Sequence, residues 1–316
     1  AYRRKFPEKK VPSISDMQKE LEIAQGVLIS FKIETGNYSF CVPTNNEFYY
    51  EVCKSLNIPI EKIIVKKEAV HSFVTYPTLC ENIKTAIKFV ATNDWRPAMQ
   101  CILLQFSNDG VNVVSTDTHI LYESKCIDHE AFIGNGFKRN AKELKILIAP
   151  EGLKTLQAMK IDYDNPLNIK IFNDDTMSIN DIEIPTMAGV SFPDYKPLMR
   201  GRDGLMEFEK DILVQKVKYV LPCANKATSQ VSFHLNGSID MKSCDINYEF
   251  EAKTTMPYIT KSFKDMDISF NGKQLIKCLS VLKGKNIKLH STGESKSAVL
   301  LTNDIDTMLL MPLQIN

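Results

Sequence analysis

The sequence predicts an α+β fold in which one unit of helix, strands, helix and strands occurs twice. The first observation is a helix-like segment that ends in Ile87-Lys88-Phe89-Val90 and has a counterpart that ends in Val217-Lys218-Tyr219-Val220. The second is that a further helix-like segment in each half leads into a similar strand-like segment, at 168–171 and at 286–289. Two copies of one unit account for both observations.

Each copy also contains a predicted hairpin between its two helices, with Asp-Gly or Asn-Gly in the turn. These dipeptides favour tight hairpin turns. The paired segments are 101–106 with 111–115 in the first copy and 231–235 with 238–243 in the second. A serine and an aspartate follow at the same spacing, Ser115 and Asp117 in the first copy and Ser243 and Asp245 in the second. The hairpins therefore support the repeat independently of the helices.

The repeat divides the chain into three predicted domains. One copy spans 72–202 and the other 203–316, and Gly201-Arg202-Asp203-Gly204 marks the break between them. Residues 1–71 are predicted to form a helix, a hairpin, a second helix and a strand. The segments are 15–24, 27–33 with 38–42, 45–56 and 60–66. This small N-terminal α+β region is either a reduced third copy or an unrelated appendage, and the pattern leaves both open.

The composition indicates a soluble globular protein, with 44% hydrophobic and 24% charged residues. No apolar run approaches the roughly 20 residues of a membrane span. Because Ala1 to Lys10 is too charged for a signal peptide, we expect a cytoplasmic protein with no membrane partner. The eight cysteines form no Cys-x-x-Cys pair. We therefore expect reduced thiols, no metal site and no cofactor.

Positive charge is concentrated on the four predicted helices, although the net charge of the chain is only +1. The helices span 79–92, 149–161, 209–225 and 271–284, and they carry ten lysines against four acidic residues. Lysines on an exposed helix face often serve only solubility, but recurrence in equivalent helices favours contact with DNA phosphates, whatever the base sequence. The lysines predicted to face DNA are Lys84, Lys88, Lys154, Lys218, Lys273 and Lys277.

Four short motifs follow one another in the order found in a known family. They are Asp94-Trp95-Arg96-Pro97, Ser115-Thr116-Asp117-Thr118-His119-Ile120-Leu121, Phe192-Pro193-Asp194-Tyr195 and the terminal Met311-Pro312-Leu313-Gln314-Ile315. Phe270-Asn271, before the last helix, also fits. The motifs resemble the second and third domains of the bacterial DNA polymerase III beta subunit, the sliding clamp.

The resemblance implies DNA-clamp domains, each with two helices on one face of antiparallel sheets. It implies a processivity factor that encircles double-stranded DNA without sequence specificity and has no catalytic activity. Clamps of this family are rings of six domains, so the chain is expected to form a ring homo-oligomer. Two copies per chain favour a trimer, a reduced third domain favours a dimer, and loss of ring closure is the third possibility.

The resemblance also implies a hydrophobic pocket between the two copies, where DNA polymerase and clamp-loader subunits dock short hydrophobic motifs. Carried over by position, the pocket residues are Met99, Thr116, Thr118, His119, Ile120, Leu121, Pro193, Pro197, Leu198, Leu309, Met311, Pro312 and Leu313. Methionine and leucine would give such a pocket an adaptable apolar surface.

Departures from the family pattern leave a second function open. The family's Gly-His-Arg is Thr118-His119-Ile120 here, and its final Arg-Leu is Gln314-Ile315. Because two arginines of the pocket are missing and the N-terminal region is short, the alternative is a clamp-fold adaptor that binds proteins without encircling DNA.

An enzyme has little support in the sequence. There is no phosphate-cradling glycine loop, and His119 has only Asp117 as a nearby acid, a pair more typical of a structural role. The aspartates at 174–175 and 304–306 have the character of turn residues.

Overall fold

The computed structural model describes twelve segments of the chain. They are residues 28–32, 39–43, 64–66, 69–75, 78–92, 95–107, 110–126, 144–160, 165–172, 176–245, 248–303 and 305–314. The helices predicted at 15–24 and 45–56 lie outside them. Among the described helices, none is long and apolar enough to cross a membrane.

A three-stranded antiparallel sheet precedes the repeat. It contains β1 (Leu28–Lys32), β2 (Ser39–Pro43) and β3 (Ile64–Lys66), in the order β2-β1-β3. The pairing of β1 with β2 confirms the predicted N-terminal hairpin. The strand predicted at 60–66 is described over its last three residues.

The first unit of the repeat covers residues 69–184 and alternates strands with two helices. Its elements are β4 (Ala69–Thr75), α1 (Thr78–Ala86), β5 (Ile102–Ser107), β6 (Gly110–Thr116), β7 (Ile120–Cys126), β8 (Leu144–Ile148), α2 (Pro150–Ala158), β9 (Leu167–Phe172), β10 (Met177–Ile179) and β11 (Ile182–Ile184). Residues 185–203, named the connector here, lead to the second unit.

The second unit covers residues 204–310 and repeats the same element order, with one short extra strand. Its elements are β12 (Gly204–Glu209), α3 (Lys210–Val220), β13 (Gln230–Leu235), β14 (Ile239–Asp245), β15 (Phe250–Met256), β16 (Thr260–Lys261), β17 (Met266–Asn271), α4 (Gly272–Val281), β18 (Asn286–Ser291), β19 (Val299–Thr302) and β20 (Asp306–Leu310). In both units one strand, one helix and three strands occur twice in succession. The predicted order of helices and hairpins is thereby confirmed.

One sheet of nine antiparallel strands joins the two units. Its order is β16-β12-β18-β19-β20-β7-β6-β5-β8, so the last strand of the second unit pairs with a strand of the first. The pairing runs from Ile120 opposite Leu310 to Ser124 opposite Asp306. Each unit also has a four-stranded sheet of its own, β11-β10-β9-β4 in the first and β15-β14-β13-β17 in the second.

The four described helices of the two units pack on one face of these sheets, where they share one core with the strands. Alternate strand residues point to opposite faces. On β5, Ile102, Leu104 and Phe106 belong to the large core shared with the helices, whereas Leu103 faces a second apolar cluster on the opposite face. Antiparallel sheets with two helices per unit on one side confirm the predicted α+β clamp fold.

Local sequence features explain where the helices begin and how they pack. Helix α1 buries Leu79, Ile83 and Ala86 on one stripe. At the start of α4, the Asn271 side chain accepts hydrogen bonds from the backbone N–H groups of Lys273 and Gln274. Helix α2 needs glycine at 152, because a Cβ there would lie 2.3 Å from a connector carbonyl oxygen. The connector therefore begins pressed against α2.

Equivalent serines confirm the repeat and correct its register. Ser115 Oγ donates to the Ala86 carbonyl at the end of α1, and Ser243 Oγ donates to the Val220 carbonyl at the end of α3. Ala86, rather than Val90, is therefore the counterpart of Val220, so the sequence match of 87–90 with 217–220 is wrong by four residues. One helical turn is 3.6 residues, so the shifted pattern keeps the same apolar stripe.

A buried hydrogen bond crosses the junction between the units. The Tyr122 hydroxyl on β7 donates to Asp306 Oδ1 on β20 at 3.0 Å, and both side chains are buried. Burial, and secondly the charge of Asp306, raise the pKa of Tyr122, so the phenol remains a donor at neutral pH.

Tyr122→Phe is expected to lower the free energy of unfolding by about 1–3 kcal/mol, because it leaves a buried carboxylate oxygen without its donor. Urea denaturation measures the change. Tyr219→Phe is the matched control, since Tyr219 is 67% exposed. Equal stability of the two variants would show that the junction does not depend on this bond.

Candidate functional site

Four of the six lysines predicted to face DNA are exposed on the helices or directly after them. They are Lys88, Lys154, Lys218 and Lys273. Each belongs to a different helical segment: Lys88 lies in the 3-10 turn that extends α1, and the others lie on α2, α3 and α4. Because the helices share one face of the sheets, these ammonium groups belong to one layer of the molecule.

The other two predicted lysines contact the protein itself. Lys84 Nζ donates to the Met159 carbonyl, 3.3 Å away, at the C-terminal end of α2. Lys210 Nζ, at the start of α3, makes a similar contact in the second unit, 3.0 Å from the Leu282 carbonyl at the end of α4. A cation at this end of a helix meets the negative pole of the helix dipole. Lys84 therefore has a structural role that its sequence position does not reveal.

Lys277 bridges the two units. Its Nζ lies 4.9 Å from the ring centroid of Phe89, a buried residue of the first unit. At this distance the ammonium group is attracted to the face of the ring. Lys283 of the second unit also lies 3.8 Å from Glu81 of the first. Both cations therefore contact the first unit across the junction.

The opposite face of the nine-stranded sheet carries the second apolar cluster, and the connector packs over it. The buried members are Cys101, Leu103, Val114, Leu121, Leu147, Tyr195, Ala298, Leu300 and Leu309. Leu121 and Leu309, both predicted pocket residues, are directly opposite each other on β7 and β20. They form part of an apolar floor that spans the junction.

The remaining predicted pocket residues differ in how far they are buried. Met99 and Thr116 are buried, Thr118, His119, Pro193 and Pro197 are exposed, and Pro312 and Leu313 are half-buried. Leu198 is 51% exposed and Met311 is 38% exposed, so both can contact a guest. Ile120 differs, because its side chain is fully buried in the core on the helix side of the sheet. Its neighbour Leu121 points to the opposite face, into the second apolar cluster.

The turn between β6 and β7 explains the Asp-x-His motif. Asp117 Oδ1 accepts hydrogen bonds from the backbone N–H groups of His119 and Ile120, at 3.0 and 2.8 Å. Thr118 adopts a positive φ of 79°, the region that favours glycine. Met311 N–H donates to the His119 carbonyl at 2.9 Å, which fixes the C-terminal segment to this turn. The aspartate therefore shapes the turn and does not orient a catalytic base.

A buried polar network, absent from the sequence predictions, fixes the connector to the sheet. Tyr195 Oη lies 2.7 Å from Glu123 Oε1 and 2.9 Å from Gln105 Oε1, and all three residues are buried. Lys196 Nζ donates to the same Glu123 oxygen at 2.9 Å. The partners are 72 to 90 residues apart in sequence, so no local pattern could reveal the network.

The described residues contain no metal cluster, and three of their cysteines are buried. Within them, no group of three His, Cys, Asp or Glu side chains could hold a metal ion. Burial raises the pKa of Cys80 and of Cys101 to about 11, and that of Cys278 to about 12. These thiols are protonated at neutral pH and are poor nucleophiles. The predicted turn residues 174–175 and 304 lie outside the described part of the chain.

The helix layer, the three antiparallel sheets of the repeat and the connector over their junction define the fold of the DNA polymerase sliding clamp. A solved sliding clamp from Pseudomonas aeruginosa matches this chain with a TM-score of 0.69 at 17% identity, over 94% of this chain and 80% of that one. The clamp from Bacillus subtilis matches with a TM-score of 0.69 at 16% identity, over 91% and 75%.

A further Pseudomonas aeruginosa clamp, solved bound to griselimycin, matches with a TM-score of 0.66 at 16% identity, over 94% of this chain and 80% of that one. No protein-family model matches the sequence, and no curated protein matches it either. At this level of identity, the similarity establishes the fold.

Proposed function

We propose that this chain is a sliding clamp, a DNA polymerase processivity factor that closes around duplex DNA and tethers replication proteins. The observation that carries the proposal is the single layer of four helices, with an exposed lysine on each helical segment. Lysines that contact phosphates rather than base edges bind DNA of any sequence, and weak dispersed contacts permit sliding. The role requires no catalytic group.

The strand pairing at the junction between the units supports a specific arrangement of chains in a closed ring. It pairs β7, the third strand after a first helix, with β20, the third strand after a second helix. The same positions in the other halves are β15 and β11, which are edge strands of the described sheets. We infer that β15 of one chain meets β11 or the N-terminal region of the next, head to tail. The first pairing makes a trimer and the second a dimer.

Strand β15 has the surface of an edge that another chain covers. Phe250 is 59% exposed and stacks on Tyr248, which is 58% exposed, with ring centroids 6.2 Å apart. Lys226 Nζ lies 5.2 Å from the Tyr248 ring. Long unprotected edges with exposed apolar residues invite pairing with another chain. Aromatic residues are also enriched at protein interfaces.

The apolar floor at Leu121 and Leu309, with Leu198 and Met311 beside it, is the proposed pocket for polymerase and clamp-loader motifs. Its mixture of buried floor and half-exposed rim suits a short hydrophobic peptide. The griselimycin-bound clamp of the same fold supports ligand binding by such proteins.

The second candidate is a clamp-fold adaptor that does not encircle DNA. Two observations favour it: Lys84 and Lys277 are engaged by the protein, and the chain has Ile120 and Gln314 where the family has arginines. An adaptor would keep the pocket without holding DNA topologically.

Retention on end-blocked DNA separates the two functions. The chain is mixed with linear duplex carrying biotin at both ends, streptavidin is added, and the DNA is washed in about 1 M NaCl, where the Debye length is about 3 Å. A clamp is expected to remain only when it is added before streptavidin, and to leave when a nuclease cuts the duplex. Loss in the wash regardless of the order of addition would favour the adaptor.

A further inference from the structure

A second groove lies beneath the connector, above strands β5 and β8. The connector first pairs with β8, where Ile148 bridges Thr186 and the Met187 N–H donates to the Leu147 carbonyl at 2.8 Å. Gly189, with φ of 72°, then bends the connector. It is held against the sheet again at Tyr195. The cavity enclosed by this arch has a volume of about 730 Å³.

Apolar side chains line this connector groove from both sides, next to polar groups. Leu103 and Leu147 line it from the sheet, and Met187, Val190 and Phe192 line it from the connector. All five belong to, or pack against, the second apolar cluster. A volume in the range of about 300–1,000 Å³, with walls that combine apolar side chains and a few polar groups, is typical of a site for a small ligand or a short peptide.

The rim of the groove is positively charged. Lys145, Lys196 and Arg200 line it against one acidic residue, Asp194; because Glu123 pairs with Lys196, the net excess at the rim is one positive charge. Lys196 is bound to Glu123, whereas Lys145 and Arg200 are exposed. An occupant that complements this rim carries carboxylates next to its apolar side chains. A basic occupant would meet repulsion.

The groove is separate from the pocket predicted at the unit junction. That pocket is centred on β7 and β20, whereas the groove lies over β5 and β8. Strands β7 and β8 are three strand spacings apart, roughly 14 Å. Pro193 is the one predicted pocket residue that also lines the groove.

We propose that the connector groove is a second docking site, for a short peptide segment in which apolar side chains are flanked by carboxylates. The β8 bridge fixes one end of the arch and the Tyr195–Glu123–Lys196 network fixes the other. A groove held at both ends loses little entropy when a peptide enters. The site does not require DNA, so it is independent of encirclement.

Two labelled hexapeptides test the proposal, Ala-Asp-Leu-Ile-Asp-Ala and its counterpart with lysine in place of aspartate. Fluorescence anisotropy is expected to show tighter binding of the acidic peptide. The double variant Lys145→Glu, Arg200→Glu is expected to weaken the acidic peptide about tenfold and to strengthen the basic one, because each substitution exchanges attraction for repulsion. A gain in affinity for the basic peptide would show that the variant is folded.

Two control variants make the result specific. Lys264→Glu with Lys296→Glu changes charge equally at exposed residues outside the groove. Met311→Asp alters the junction pocket. Neither is expected to change binding of the acidic peptide. Any of three results would overturn the proposal. They are equal binding of both peptides, no response to the Lys145 and Arg200 substitutions, and loss of binding in Met311→Asp. Retention on end-blocked DNA should stay intact in the groove variant, so failure of this site is distinguishable from failure of the clamp.

Discussion

Glutamate in place of Lys88, Lys154, Lys218 and Lys273 together is expected to weaken binding to duplex DNA by about a hundredfold or more at low salt. These are the four predicted lysines whose side chains are exposed. Each lost phosphate contact should also lower the slope of log affinity against log salt by about 0.9. Fluorescence titration of a labelled duplex over a series of salt concentrations measures both quantities.

A quadruple variant of matched charge tests whether position matters. Lys242 and Lys253 lie on the sheet face opposite the helices, since they alternate with buried or half-buried core residues of β14 and β15. Lys264 and Lys296 are exposed loop residues. Reversal of these four should change DNA affinity only slightly. Equal losses in the two quadruple variants would mean that net charge, and not the helix layer, governs binding.

Aspartate in place of Tyr248 and Phe250 is expected to convert the proposed ring to monomer and abolish retention on end-blocked DNA. The two rings are more than half exposed, so the fold tolerates the change, whereas an interface that covers them would have to bury two charges. Light scattering across a range of protein concentrations measures the assembly.

The control for the edge variant is Ile259→Asp, because Ile259 is 53% exposed and lies outside β15. It should leave the assembly unchanged. A native chain that is monomeric at every concentration would refute the ring itself. A ring that still forms with both aspartates present would show that the interface does not include the start of β15.

Much of the fold follows from local patterns. Apolar residues at helical spacing predict α1 through Leu79 and Ile83, and the turn at Asn236-Gly237 predicts the β13–β14 hairpin. The repeat is also visible in the sequence, although sequence similarity aligns the first helix of each unit one turn out of register. A shift of four residues preserves the apolar stripe of a helix, so only the serine contacts at Ala86 and Val220 reveal it.

The candidate site likewise has features that local sequence determines and features that only tertiary structure decides. The sequence by itself determined which segments become helices and strands, that lysines gather on the helices, and which motifs resemble a clamp, because these properties depend on neighbouring residues. Only the tertiary structure decided that Lys84 and Lys277 contact protein, that Ile120 faces the core, and that Glu123 fastens the connector. Those contacts join residues far apart in the chain, and packing of complete sheets and helices, rather than local spacing, brings them together.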